Sequence, residues 1–178
     1  MKILARLAIC LLLSATTVSQ DSGKIFLVRH AEKQSDAPDT PLSDKGQARA
    51  QCLAQTLKDA HITNAMVTQH IRTKQTAAPT VAESKAKEST IDAKSTDQIV
   101  KDTRAAAQTG NVLVVGHSNT IPILLQAFGT PGVTIADVAY DQLFIFDVSQ
   151  PKRLTILHYC PSLPTDTTDH PASSMAKP

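Results

Sequence analysis

The sequence predicts an α/β domain built on a mostly parallel sheet, and three observations carry that prediction. Short apolar runs alternate with stretches of helical periodicity, the pattern of strands crossed over by helices. Two runs, Ile25 to Val28 and Val112 to Val115, are apolar at every position, as strands buried on both faces are. The 178 residues supply one domain with a substantial core and are too few for two comfortable ones.

The elements follow in order. The first strand lies in "KIFLVRHAEK", residues 24–33, and its apolar run stops on Arg29, His30 and, two residues on, Glu32. Residues 46–60 form a helix: Ala50, Leu53, Ala54 and Leu57 recur at helical spacing, and Asp44 with Gln47 stands like a capping box. "NAMVTQ", residues 64–69, is a short second strand. Residues 72–87 are helical, with Pro79 opening a new first turn or marking a kink. Residues 83–98, "ESKAKESTIDAKSTDQ", are polar without strong periodicity and read as solvated surface. A weak helix over 96–109 leads through Gly110 into the strand of "NVLVVGHSNT". Asn119 or Thr120 then caps a helix in "IPILLQAF" that ends at Gly129. "QLFIFDV" and "RLTILHY" close the sheet as a pair of strands.

Both ends of the chain differ from this body. Residues 1–20 place Lys2 and Arg6 before the apolar run Leu7 to Leu13 and then small or polar residues, the order of a cleavable secretory leader. The run is too short for a comfortable membrane span, so no stable span is expected after cleavage, and the domain is expected over 21–160 in a periplasmic or secreted protein. Residues 161–178, rich in proline and poor in large apolar groups, read as a disordered tail. Removing Lys2 and Arg6 leaves sixteen Lys and Arg against sixteen Asp and Glu. A nearly neutral chain without tryptophan offers neither the basic field nor the stacking platforms of a nucleic-acid binder. Cys52 and Cys160 are the cysteines left beyond the leader; an oxidising compartment permits them to pair, and spacing alone leaves that open. No Cys/His cluster suits a structural zinc.

Ligands of open α/β sheets bind outside the carboxyl ends of the strands. At those ends this sequence places Arg29 with His30, Arg72 within "TQHIRTKQTA", and Gly116 with His117. Guanidinium groups offer paired donors matched to phosphate oxygens, and a neutral imidazole can attack phosphorus to form a covalent intermediate. A second histidine can donate to a non-bridging oxygen as charge shifts in the transition state.

In this order and at these separations, "LVRHAEK", "RTKQTA" and "VVGHSNT" resemble the signature of the histidine phosphatase superfamily, whose fold is phosphoglycerate-mutase-like. The resemblance implies a three-layer α/β/α sandwich, a phosphorylated nucleophile at His30, and a phosphate pocket of Arg29, Arg72 and His117. It implies no metal and no cofactor, and a phosphate ester of a small molecule or a phosphorylated macromolecule as substrate. The Leu-Arg-Glu-like string in which mutases and many larger members carry an acid after the second arginine has no counterpart between Ala77 and Gly110. Glu83, Glu32 and Asp141 are the candidate proton donors, and the short middle segment leaves little material for a lid. His61, His70, His158 and His170 read as structural or surface groups, and Arg49 and Arg104 as solvated helix residues.

Two other readings stand beside this one. "GHSNT" matches the Gly-x-Ser-x-Gly elbow of α/β-hydrolases except for its last glycine, which would make Ser118 a nucleophile with His158 and one of Asp137, Asp141 or Asp147. A phosphate pocket without a proton donor can also bind a phosphorylated ligand without turning it over.

Overall fold

The computed structural model describes residues 23–130 and 132–161. The leader expected over 1–20 and nearly all of the tail expected over 161–178 lie outside the described residues. The elements run β1 (Lys24–Arg29), α1 (Asp44–Leu57), β2 (Ile62–Thr68), α2 (Ile71–Ser84), β3 (Lys87–Ile91), α3 (Thr96–Ala106), β4 (Asn111–Gly116), α4 (Thr120–Phe128), β5 (Gln142–Asp147) and β6 (Thr155–His158).

These six strands form one sheet in the order β3-β2-β4-β1-β5-β6. β1 to β4 pair in parallel, while β5 runs antiparallel to both β1 and β6. The period-two alternation of the strands sorts their side chains onto two faces. Phe26, Val28, Ala65, Val67, Leu113 and Val115 pack with Leu53, Leu57 and Ala77 of α1 and α2. Ile25, Leu27, Met66, Val112 and Val114 pack on the opposite face with Ile99 of α3 and Ile121, Leu124 and Phe128 of α4. Two helices therefore cover each face, which makes the three layers and explains why β1 and β4 are apolar throughout.

That arrangement also places the site. The chain leaves β1 toward α1 on one face and leaves β4 toward α4 on the other, so the adjacent carboxyl ends of β1 and β4 open a crevice between diverging loops. α1 approaches closely because Gly46 has no side chain; a Cβ there would collide with the Glu32 carbonyl oxygen. α4 stops at Gly129, whose φ of 89° is left-handed backbone that glycine adopts without strain.

The structure corrects several sequence expectations. Residues 87–91, expected as solvated surface, form β3, an edge strand held to β2 by main-chain pairing. α1 begins two residues earlier than expected and its cap is Ser43, whose hydroxyl accepts from the Gly46 N–H at 3.1 Å. α2 runs through Pro79 to Ser84. Arg49, expected in solvent, is only 5% exposed.

Candidate active site

β1 ends on Arg29, and the main chain continues its pairing one residue further, with the His30 N–H donating to the Gly116 carbonyl at 2.9 Å. The next N–H, that of Ala31, donates to Thr76 Oγ1 at 2.9 Å, and that hydroxyl donates in turn to the Arg72 carbonyl at 2.7 Å. A threonine of α2 thus ties the turn carrying His30 to the turn of helix carrying Arg72. Its neighbour Gln75 accepts from the Leu42 N–H at 2.7 Å. The middle string of the motif, "RTKQTA", is as much a scaffold for the first string as a source of one guanidinium.

His30 is 5% exposed, and its Nδ1 lies 2.8 Å from the Ala31 carbonyl oxygen. A carbonyl only accepts, so Nδ1 carries the ring proton and Nε2 keeps a bare lone pair. Burial pushes the imidazole down to about 4; the bond to Ala31 works against this, and the positive charges of Arg72, Arg29 and Lys33 add to it. His30 is therefore neutral, in one tautomer, and nucleophilic at Nε2.

His117 follows β4, 7% exposed, with its ring 5.3 Å from that of His30. Its main-chain N–H is held by Thr120 Oγ1 at 2.9 Å, at the start of α4. Arg72 Nη2 stands 3.5 Å from Nδ1. A guanidinium only donates, which leaves the His117 proton on Nε2 to be given to Thr68 Oγ1 at 3.0 Å. Thr68 continues to Thr73 Oγ1 at 2.9 Å, and Thr73 to the His70 carbonyl at 2.8 Å. In the other tautomer Thr68 donates to Nε2 and the His117 proton sits on Nδ1. Burial, then the neighbouring His30, Arg72, His70 and Arg29, push His117 down to about 3.

The two arginines are braced by main-chain oxygens. Arg29 donates from Nη1 to the Asp137 carbonyl at 2.7 Å and from Nη2 to Tyr140 Oη at 3.3 Å, and its guanidinium lies 4.1 Å from the centre of the Tyr140 ring. Its buried Nε finds no acceptor among the described residues. Arg72 donates to the Pro38 carbonyl at 2.9 Å. These groups line one cleft of about 740 Å³ together with Lys33, His70, Lys94 and Ser118. Its chemistry is that of an oxyanion receptor: several fixed cations and donors around one neutral nucleophile.

The family profile described as the histidine phosphatase superfamily, branch 1, matches residues 25–96. Over that stretch the chain resembles the histidine phosphatase superfamily. The matched span contains Arg29, His30 and Arg72, and the fold brings His117 to them from beyond it. No curated protein matches the sequence. Among solved structures, one assigned as the phosphohistidine phosphatase SixA from Nakamurella multipartitia has 22% identity and a TM-score of 0.57, covering 78% of this chain and 96% of its own. The alpha-ribazole phosphatase from Shigella flexneri has 15% identity and a TM-score of 0.60, over 76% of this chain and 95% of its own. A protein histidine phosphatase SixA complexed with tungstate has 20% identity and a TM-score of 0.55, over 76% and 95%. At these identities the likeness is one of fold.

Within this histidine phosphatase fold, Arg29, His30, Arg72 and His117 converge as the sequence expected, and the three candidate proton donors do not join them. Glu32 turns away to Arg49, meeting its Nη2 at 2.7 Å and its Nε at 2.9 and 2.8 Å. Asp141 pairs with His158 Nδ1 at 2.9 Å and faces a separate depression with Glu32 and Arg49. Glu83 sits in the last turn of α2, which runs away from the crevice. Ser118 lines the cleft, but His158, its expected partner as a hydrolase, lies on the edge strand β6 and does not.

Two ring-bearing residues of the cleft escaped the sequence reading. His70, passed over as structural, lines the cleft and packs its ring perpendicular to that of His117 at 5.2 Å. Its position, two residues before Arg72 and just past the end of β2, obeys the same strand-end rule that singled out Arg72. Tyr140, which carries the Arg29 guanidinium on its ring, had only its place ahead of the β5 run to mark it. Among the described residues no cluster of His, Cys, Asp or Glu side chains is arranged to hold a metal, and no helix is long and apolar enough to cross a membrane.

Proposed function

We propose that the chain is an exported phosphomonoesterase that needs no metal and acts through a phosphohistidine at His30. The observation that carries this reading is the tautomer of His30: the Ala31 carbonyl holds the Nδ1 proton at 2.8 Å and leaves Nε2 bare in a cleft that Arg29 and Arg72 also line. Nε2 attacks the phosphorus, the ester oxygen leaves with the bonding pair, and water then cleaves the P–N bond to return His30 and free phosphate. Arg29 and Arg72 meet the charge of the equatorial oxygens, a task that a metal performs in other phosphoryl-transfer enzymes. In the tautomer in which Nε2 accepts from Thr68, His117 donates to one of those oxygens from Nδ1. The structure of SixA with tungstate supports such a pocket in this fold, since tungstate is an oxyanion.

Export is supported by the order of residues 1–20 and by the Cys52–Cys160 disulfide, a bond that persists in oxidising compartments and is uncommon in reducing ones. A periplasmic or secreted location follows. The substrate class stays broad: a small phosphate ester or a phosphorylated macromolecule.

The test is hydrolysis of an aryl phosphate by the oxidised chain from residue 21 in EDTA, beside its His30→Ala variant. Metal-independent turnover, an acid-labile phosphoryl-enzyme and their joint loss in the variant are the expected results. A folded His30→Ala protein with normal activity would overturn the mechanism. The absence of all three expected carboxylates from the cleft favours one rival, a protein that binds phosphorylated ligands without turnover. Tight binding of vanadate by a parent that hydrolyses no phosphomonoester would establish that rival.

A further inference from the structure

Cleavage of an ester with a poor leaving group requires a proton for the departing oxygen, and none of Glu32, Glu83 and Asp141 lines the cleft that would supply it. Phosphoryl transfer runs in line, so the leaving oxygen departs on the side of phosphorus opposite the attacking nitrogen. His30 forms the buried floor at 5% exposed. The leaving group therefore points toward the mouth.

The mouth holds a third imidazole. The side chain of His70 is 28% exposed, against 7% for the whole of His117 on which its ring is packed at 5.2 Å. Asp39 Oδ1 stands 3.4 Å from its Nδ1, and the same oxygen is fixed by the Ile71 N–H at 2.9 Å. A carboxylate on Nδ1 orients the ring and leaves Nε2 for the cleft. The main chain beneath the ring is fixed as well, through Thr73 on the His70 carbonyl. The other charged groups around it are Arg72 on α2 and Lys94 in the turn before α3, both lining the same cleft.

The other acids of the cleft are worse placed. Asp36 is 99% exposed and bound to Lys33 Nζ at 2.6 Å. Asp137 engages Arg29 through its main-chain carbonyl, and the residue is exposed at the rim.

We propose that His70, oriented by Asp39, is the proton donor to the leaving oxygen, an assignment that rests on the phosphohistidine reading above. In the first step the P–O ester bond breaks with its electron pair going to oxygen, and the imidazolium of His70 gives that oxygen its proton from Nε2. In the second step the neutral Nε2 takes a proton from the water that attacks the phosphohistidine. The P–N pair returns to His30, and His70 is an imidazolium again. A histidine suits this double task because one ring nitrogen can both give and take a proton. Asp39 is a positioning residue.

The test compares single-turnover release of the alcohol from an alkyl phosphate and from a nitrophenyl phosphate, in the parent, His70→Asn, Asp39→Asn and Asp137→Asn. His70→Asn should lose about 10²- to 10⁴-fold on the alkyl ester and far less on the nitrophenyl ester, so that rates depend more steeply on leaving-group acidity. Asp39→Asn should lose roughly tenfold on the alkyl ester and little on the nitrophenyl ester, a selectivity that a merely structural role would not produce. Asp39 lies at the surface, so this variant keeps the proposal testable should His70→Asn fail to fold. Equal losses on both esters, no loss on either, or a selective loss confined to Asp137→Asn would overturn the assignment while leaving the phosphatase intact. A parent that cleaves neither ester would overturn both readings together.

Discussion

Glu32 was a candidate proton donor by its closeness to His30 in sequence, and its replacement by glutamine separates that role from the one the structure gives it. Its carboxylate meets Arg49 through three short contacts, 2.7, 2.8 and 2.9 Å. The side chains are 14% and 6% exposed, so water replaces little of what is lost. Arg49 also donates to the Cys160 carbonyl at 3.2 Å, which links α1, the turn after β1 and the end of β6 through one guanidinium. Removing one partner of a buried pair costs about 3–5 kcal/mol, because the other charge stays buried. The remaining exposure of Glu32 and the amide oxygen of glutamine favour the lower end, about 3 kcal/mol. For a domain of about 140 residues the entropy of unfolding is about 0.3 kcal/mol/K, so Tm should fall by about 10 °C. Urea unfolding of the oxidised protein gives the free energy, calorimetry gives Tm, and the ratio of alkyl to aryl phosphate turnover gives the chemistry. The expected outcome is a large stability loss with that ratio unchanged. A loss under about 1 kcal/mol, the range of an exposed pair, together with a selective collapse of alkyl ester turnover, would refute the reasoning and return Glu32 to the chemistry.

Two further outcomes follow from the same structure. His30 at about 4 and His117 at about 3 sit below the ordinary histidine value of 6.5. Between pH 6.5 and 4 the unfolded chain takes up protons that the folded site refuses, so stability present above pH 6.5 should be lost as pH falls through that window. Imidazole resonances of both rings should hold their neutral positions down to about pH 5, and His30→Ala should flatten the stability slope; titration of either ring near 6.5 would contradict the buried neutral site. The Cys52–Cys160 bond joins positions 108 apart in sequence, so reduction should destabilise the fold by about 2–5 kcal/mol, read as a fall in urea midpoint on adding a thiol. A midpoint indifferent to thiol would argue against the bond.

Much of the architecture was legible because it follows from local pattern. The unbroken apolar runs at Ile25–Val28 and Val112–Val115 mark strands covered on both faces, and Ala50, Leu53, Ala54 and Leu57 mark the buried stripe of α1; all of these residues are buried. β3 was invisible for the opposite reason. An edge strand is held by main-chain bonds to one neighbour and needs no apolar side chain, so Lys87, Glu88, Ser89 and Thr90 carry no pattern to find.

The four residues converging on the cleft were legible from strand-end position and residue chemistry, since topology brings the carboxyl ends of parallel strands together whatever the details of packing. What only the tertiary structure decided is which way each side chain turns and what it meets. Glu32 and His70 show the difference. Both stand within two residues of a pocket group in sequence, yet Glu32 turns to an arginine 17 residues away on α1 while His70 turns inward over His117. Sequence position sets where a main chain arrives. The charge state, tautomer and role of a side chain depend on partners and water excluded across the fold, and those distances exist only once the layers have closed.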